Sequence, residues 1–342
     1  MKLIYLSINS IIIIMKKLIT SIIIFAIGIL SFSGCEYNTK STVHFADGYY
    51  FDTYVYVKLY GCGSDELAKA AVELCGYYEK IFSRTLEDSL LYELNQNKSM
   101  EIATEEQRIL ADIISLGIEY GDKTGGGLDI AIEPLSSLWD FTDASSTVPD
   151  RALIEKALNA PDYTAIEITE NSINLNGASL DLGAVAKGYA ADRISEYLRE
   201  HNVDSAIVDL GGNILCIGDK PSGEDFVIGV KKPFSNETIL GLSIDGMSVV
   251  TSGTYERYFE QDGVMYHHIL NPDTGMPCDN ELLSVTIISE SGAVCDCLST
   301  GCFVMGMDKA MELIDSMDGV FAIFVDTDYK IYYSEGAKTL VK

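Results

Sequence analysis

The spacing of apolar residues changes period repeatedly along this chain. The segment "YYFDTYVYVKLYG" (49–61) alternates every second position and predicts a strand. "SDELAKAAVELCGYYEKIFS" (64–83) shifts to a spacing of three and four and predicts a helix with Ser64 as its N-cap. "TEEQRILADIISLGIEYGDKTGGG" opens on Thr104 with Gln107 three residues later, a capping box, and ends in a glycine run. "YTAIEITENSINLNG" reads as two short strands around Glu170-Asn171, and "SAIVDLGGNILCIG" as strand, glycine turn, strand. Between them, "AVAKGYAADRISEYLREHN" places Val185, Tyr189, Ile194 and Leu198 on one helical face. The C-terminal part predicts a helix from about Ala293, a second in "DKAMELIDSM", and a last hairpin in "VFAIFVDTDYKIYY".

Strands and helices are interspersed, with many hairpins and few crossover units. That predicts an α+β fold, one domain of largely antiparallel sheets with flanking helices. There is no internal repeat, and the longest polar connection runs from Thr142 to Asp150. The boundaries expected are a targeting segment over 1–34, a tether over 35–48 and the domain over 49–342.

The targeting segment is read from "MKKLITSIIIFAIGILSFSGC". Two lysines precede an apolar run, and the small residues Ser33 and Gly34 lead into Cys35, the pattern of a bacterial lipoprotein signal with Cys35 as the acylated first residue. The alternatives are an uncleaved membrane anchor and a cysteine near an ordinary signal peptide, and Met1 and Met15 are both candidate starts. The lipoprotein reading places the domain on the extracytoplasmic face of the cell membrane, held by its lipid.

Charge narrows the partners. The formal net charge is −27, and residues 1–34 carry three lysines and no acid, so cleavage would leave the mature chain more negative still. Nucleic acid is excluded as a partner, because a phosphate backbone needs lysine and arginine density. A small anion remains possible where local amides or a metal override the global field. Seven cysteines beyond Cys35, with no Cys-x-x-Cys pair, fit neither a disulfide framework nor a zinc ribbon.

Four segments carry candidate chemistry. In "GGGLDIAIEPL" (125–135) three glycines lead to Asp129; this is either a helix C-cap and loop or bare backbone that a ring or phosphate can approach. In "LDLGAVAKGYAADRI" (180–194) a strand end delivers Asp181, Gly183 turns the chain into a helix start, and Lys187 sits one turn in. Such an N-terminus favours anions, although a solvated helix lysine would look the same. In "VTSGTYERYFEQDGVMYHHILNPDTGMP" (250–277) a turn at Asp262-Gly263 puts Tyr266 to Leu270 on the returning strand, so His267 and His268 face opposite sides. A lone strand histidine reads equally as structural, and only one of the two can face a given site. In "AVCDCLSTGCFVMG" (293–306) Asp296 and Thr300 are i and i+4 on a helix, a carboxylate and a hydroxyl on one face. Hard oxygens suit Mg²⁺, whereas Cys295, Cys297 and Cys302 fit no tetrahedral site and read as small packing residues.

These segments, together with "DLGGNI", "HILNPDTG", "CDCLST" and "IFSRTLEDSLLYELN", resemble in order the ApbE-like family of FAD:protein FMN transferases, from about Tyr50 to the C-terminus. The resemblance implies an enzyme that moves the FMN half of FAD onto a threonine hydroxyl of an acceptor flavoprotein subunit and releases AMP. It implies that Asp296 and Thr300 bind Mg²⁺ with the backbone carbonyl of Ala184. Gly127, Leu128, Asp129, Asp181, Lys187 and Leu270 would line the FAD site, and His268 would serve the chemistry with a pKa near neutral. Phe51 stands where the family often has Met at the flavin, Thr85 where some members have Tyr, and Thr254 where many have Asp. Two other functions fit the same residues: a Mg²⁺-dependent FAD diphosphatase with water as acceptor, and a lipoprotein that binds FAD without reaction.

Overall fold

The computed structural model describes residues 42–342, residue 144 excepted. The signal segment, Cys35 and the first part of the tether lie outside the described residues. Strand β1 (Val43–Tyr50) and β2 (Thr53–Tyr60) form an antiparallel hairpin paired over its full length, from Val43↔Tyr60 to Tyr50↔Thr53. Two expectations change here. The single strand read over 49–61 is the end of one strand, a two-residue turn and a second strand. Alternation continues unchanged on both sides of the turn, and Phe51-Asp52 lacks the usual Asn-Gly signal although both residues take left-handed φ of 53° and 55°. The domain also begins at Val43, inside the segment expected as tether.

Helix α1 (Asp65–Phe82) starts where Ser64 Oγ accepts the Leu67 amide, as expected from the sequence. After α2 (Leu90–Asn97) and β3 (Ser99–Glu101), α3 (Glu105–Lys123) carries both halves of the Thr104/Gln107 capping box. Short helices α4 (Glu133–Ser136) and α5 (Arg151–Ala157) follow, and β4 (Glu167–Ile168) and β5 (Ser172–Asn174) join β3 in a small sheet. Then come α6 (Ala186–Glu200), β6 (Ala206–Leu210) and β7 (Asn213–Ile217). Hairpin β8 (Phe226–Lys231) and β9 (Thr238–Ile244) precedes β10 (Ser248–Gly253) and a second hairpin, β11 (Tyr258–Gln261) and β12 (Val264–His267). The chain closes with β13 (Leu282–Ser289), α7 (Gly292–Met305), α8 (Met307–Asp315), β14 (Phe321–Asp326) and β15 (Ile331–Tyr333).

The central sheet has eight strands in the order β1-β2-β6-β7-β10-β13-β14-β15, and every pairing in it is antiparallel. Period-two alternation divides its inner strands between two cores. Leu215, Val250, Val285, Ile287 and Phe324 enter the main core beneath α1, α6 and α7, while Cys216, Val249, Ile288 and Ile323 pack against β8 and β9 on the other face. A third cluster, Leu135, Trp139, Ile154, Phe259 and Leu270, lies beside β11 and β12.

Helices α6 and α7 meet at two glycines. A Cβ built on Gly188 would drive into the Gly292 carbonyl oxygen, and one built on Gly292 would sit 2.9 Å from the Gly188 oxygen. The two backbones therefore touch where any side chain would separate them. Gly188→Ala should lower stability by about 3 kcal/mol through overpacking against rigid backbone. The midpoint of urea unfolding measures this, and an unchanged midpoint would mean that the helices are free to move apart.

Candidate active site

Close approach of α6 and α7 lets each helix cap the other. Asp192 of α6 accepts the Gly292 and Ala293 amides at 2.6 and 3.0 Å and the Ser291 hydroxyl at 2.8 Å, all at the start of α7. Asp296 of α7 accepts the Gly188 amide in the first turn of α6 at 2.9 Å, where Val185 offers no side-chain cap of its own. Each carboxylate thus meets the positive end of the partner helix and takes an amide without an intrahelical acceptor. Burial pushes the Asp192 carboxyl above its ordinary range, and its three hydrogen bonds act against that rise.

Ala184 lies just before the helix, and no backbone amide among the described residues takes its oxygen. Asp296 is only 4% exposed, yet its other oxygen, Oδ1, has no hydrogen-bond donor and lies 3.9 Å from Lys187 Nζ. One turn on, Thr300 Oγ1 is 3.3 Å from Ser252 Oγ of β10, which also bonds Ser299 Oγ at 2.8 Å. The carboxylate oxygen, the free backbone carbonyl and the hydroxyls are all hard oxygens, a donor chemistry that fits Mg²⁺ better than a softer metal. Lys187 is not a solvated helix lysine: its ammonium donates to the Gly183 carbonyl at 3.1 Å and faces the same carboxylate.

The cysteines between these residues play no part in that set. Cys295, Cys297 and Cys302 are fully buried. Burial pushes Cys295 and Cys302 up to about 12 and Cys297 well above its ordinary value, so all three are neutral thiols. Among the described residues no three His, Cys, Asp or Glu side chains gather as a metal group.

The paired histidines divide sharply. His267 is buried; its Nε2 donates to the Cys278 carbonyl at 3.0 Å and its Nδ1 accepts the Ile269 amide at 3.3 Å, so both nitrogens are engaged. Strand β12 ends there, and His268 lies just beyond it. His268 Nδ1 is 3.3 Å from the Arg257 carbonyl, which can only accept, so Nδ1 carries the proton and Nε2 is left unprotonated. Its pKa is not near neutral as expected. Desolvation, with the positive charges of Arg257 and Lys187 acting against an imidazolium, pushes it down to about 3. Phe141, stacked on Trp139, meets its ring edge-on.

Other predicted residues are present but face differently. Asp181 is internally engaged: Oδ1 accepts the Gly183 amide at 2.9 Å, and Oδ2 takes Arg84 Nε at 2.9 Å and Ser136 Oγ at 2.7 Å. Asp129 accepts the Ala131 and Tyr163 amides, and burial raises it to about 6. Leu128 and Leu270 have buried side chains, leaving only their backbone to meet a ligand. Gly127 packs on α7, where a Cβ would be 2.8 Å from the Gly301 oxygen. Phe51 sits at the tip of the β1–β2 turn with its amide on Glu79 Oε1 at 2.6 Å, and Thr85 is exposed next to Arg84. Thr254 is buried against the Leu283 carbonyl.

Sequence reasoning missed Arg84, Ser252 and Asp192. All three lie inside motifs already singled out, and Asp192 is four residues past Gly188, in phase with it on the same helix face.

The chain belongs to the ApbE family, whose model matches residues 51–324. It is 37% identical over 286 residues to a FAD:protein FMN transferase of Klebsiella pneumoniae, an alignment covering 82% of this chain and 88% of that protein. A FAD:protein FMN transferase of Treponema pallidum is 33% identical over 277 residues, covering 75% and 76% of the two chains. The crystal structure of the ApbE protein from Thermotoga maritima superposes with a TM-score of 0.80 at 32% identity, covering 88% of this chain and all of that one.

Native protein treated with iodoacetamide should be alkylated at Cys62, the exposed thiol, while Cys295, Cys297 and Cys302 react only after denaturation. Peptide mapping by mass spectrometry reads the difference. Rapid native alkylation within residues 295–302 would contradict the neutral-thiol assignment.

Proposed function

We propose that this protein is a Mg²⁺-dependent FAD:protein FMN transferase, carried at the membrane by a lipid on Cys35, with a threonine hydroxyl of a flavoprotein subunit as acceptor. Family membership and the names of its relatives support the reaction. The observation that carries the metal dependence is a donorless Asp296 oxygen whose carboxylate is bound to the Gly188 amide, four residues past the free Ala184 carbonyl. Asp296, Thr300 and the Ala184 carbonyl would hold the ion, with Ser252 fixing the Thr300 hydroxyl. When bound, Mg²⁺ neutralises charge that builds on a diphosphate as its bridging P–O bond breaks.

The chain's own residues account for the rest. Lys187 brings a positive charge to the start of α6, where a diphosphate is favoured. The Asp181–Arg84–Ser136 cluster fixes the turn that delivers Lys187 and Ala184. His268 presents Nε2 as proton acceptor. The acceptor oxygen attacks the phosphorus of the FMN half, its proton passes to Nε2, and the bond to the AMP phosphate breaks, leaving a phosphodiester on the acceptor and free AMP. An imidazole with so low a pKa is a weak base in the empty site; a bound polyanion would raise its proton affinity.

The purified protein incubated with FAD, Mg²⁺ and a threonine-bearing flavoprotein subunit should release AMP and add one FMN mass to the acceptor. AMP release without that gain would make the protein a diphosphatase, and no AMP at all would make it a flavin binder.

Asp296→Asn keeps an acceptor for the Gly188 amide but removes the charge, so Mg²⁺-dependent AMP release should fall by about 10² or more with little loss of stability. Asp296→Ala should also lose the cross-helix cap, about 1 kcal/mol. Activity within a few-fold of wild type for both variants at low Mg²⁺ would sink the assignment.

His268→Ala should slow transfer by about 10², whereas His267→Ala should chiefly cost stability because it leaves buried partners unpaired. Since His268 is neutral well above pH 3, kcat/KM for FAD should show no inflection from this histidine between pH 5 and 8. Its effect on stability has the opposite sense to that of a paired histidine. The contribution is fully present above the ordinary value of 6.5 and declines as pH falls toward about 3, because the unfolded chain binds the proton first.

A further inference from the structure

We propose that the outer face of the β1–β2 hairpin rests on the bilayer interface beside the lipid anchor, a contact that presupposes the acylated Cys35 of the reading above. Val55, Val57 and Leu59 of β2 point into the main core, so Tyr54, Tyr56, Lys58 and Tyr60 face the other way. Their partners across β1 are Tyr49, Asp47, Phe45 and Val43. Four of these side chains are far more exposed than apolar or aromatic groups usually are: Val43 at 50%, Phe45 at 43%, Tyr49 at 70% and Tyr54 at 52%. The rings are not scattered. Phe45 and Tyr54 lie 6.0 and 6.2 Å from Tyr56, and the Lys58 ammonium sits over both Phe45 and Tyr56. Hairpin β8–β9 covers the same side of the sheet from Tyr60 inward, where Phe226 packs at 5.3 Å. Beyond Tyr60 this aromatic surface has no partner among the described residues.

The length of chain before β1 selects the occupant. Seven residues, 36–42, separate Cys35 from Val43, and fully extended they span at most about 26–29 Å. A lipid at Cys35 therefore holds the first strand of the sheet close to the membrane surface. The chemistry of the face matches that depth. Tyrosines with an apolar ring and a polar tip concentrate at the headgroup level. Asp47 and Asp209 stand opposite Tyr56 on the two flanking strands and the Lys58 ammonium lies over its ring, so the face suits the interface, not the hydrocarbon. Its charges, Asp47, Lys58 and Asp209, leave a single net negative charge, and a zwitterionic headgroup asks for no positive patch. A second copy pairing along the β1 edge is opposed by the net charge of −27 on each chain.

The test uses the full mature lipoprotein in phosphatidylcholine vesicles, with and without brominated acyl chains. Tryptophan is placed on the face by Tyr54→Trp and, as a second probe, Tyr49→Trp. Tyr329→Trp is the control: it lies in the β14–β15 turn at the opposite edge of the sheet, about 33 Å away across seven strand spacings. Native Trp139 is buried and gives a constant background. Flotation with the vesicles is scored first; a protein that fails to float has no anchor, and the contact falls with it. In floated protein, brominated lipid should quench the face probes by about half and leave the control nearly unchanged, as expected for side chains at the headgroup boundary. Equal, negligible quenching of all three probes in floated protein would overturn the contact while leaving the anchor in place. Dimeric lipoprotein in detergent, with the face probes already shielded before any bilayer is present, would assign the face to a second copy and overturn it as well.

Discussion

Two helices that cap each other hold the candidate active site together. Asp192 and Asp296 work in opposite directions across the contact of Gly188 with Gly292, and neither bond forms unless the backbones touch. The same contact places beside the start of α6 a largely buried carboxylate, one oxygen of which lacks a donor. A buried charge of that kind is costly unless something meets it. Lys187 answers part of the cost from 3.9 Å, too far for a hydrogen bond, and a divalent cation would answer more. The proposed metal site is thus a by-product of how two helices solved their end-group problem.

Chemically identical neighbours acquire different roles through the carbonyls they meet. His267 donates through Nε2 and accepts through Nδ1, both inside the protein, and becomes part of the loop leading to Cys278. His268 donates through Nδ1 and keeps Nε2 free. No property of the dipeptide distinguishes them. Carboxylates follow the same rule: Asp181 and Asp129 organise loops, while Asp296, capped on one oxygen, leaves the other open.

Much of the fold was legible because periodicity and caps are local. Ser64 and the Thr104/Gln107 box begin their helices where the sequence said they would, and the β6–β7 and β14–β15 hairpins follow from alternation across glycine or Asp-rich turns. The turn at Phe51-Asp52 was hidden because bulky residues occupy left-handed positions that usually signal glycine or asparagine. At the candidate site, Asp296, Thr300, Lys187 and His268 are legible as expectations through spacing and family resemblance. Arg84, Ser252 and Asp192 were missed because their roles exist only between segments far apart in sequence, 97 residues for Arg84 and Asp181. The depressed pKa of His268 was equally out of reach, since it depends on the Arg257 and Lys187 charges arriving from other elements.

The order of strands also sets a timetable. β2 pairs on its inner side with β6, Val55 against Leu210, so more than 150 residues separate the two halves of that ladder. A two-strand hairpin alone is marginal in water, and closing so long a loop must precede any gain from the pairing. During synthesis the first hairpin therefore waits, open along one edge, until β6 has emerged behind α6. The chain can acquire its active site only after that closure, because α6 and the strand that anchors it arrive together.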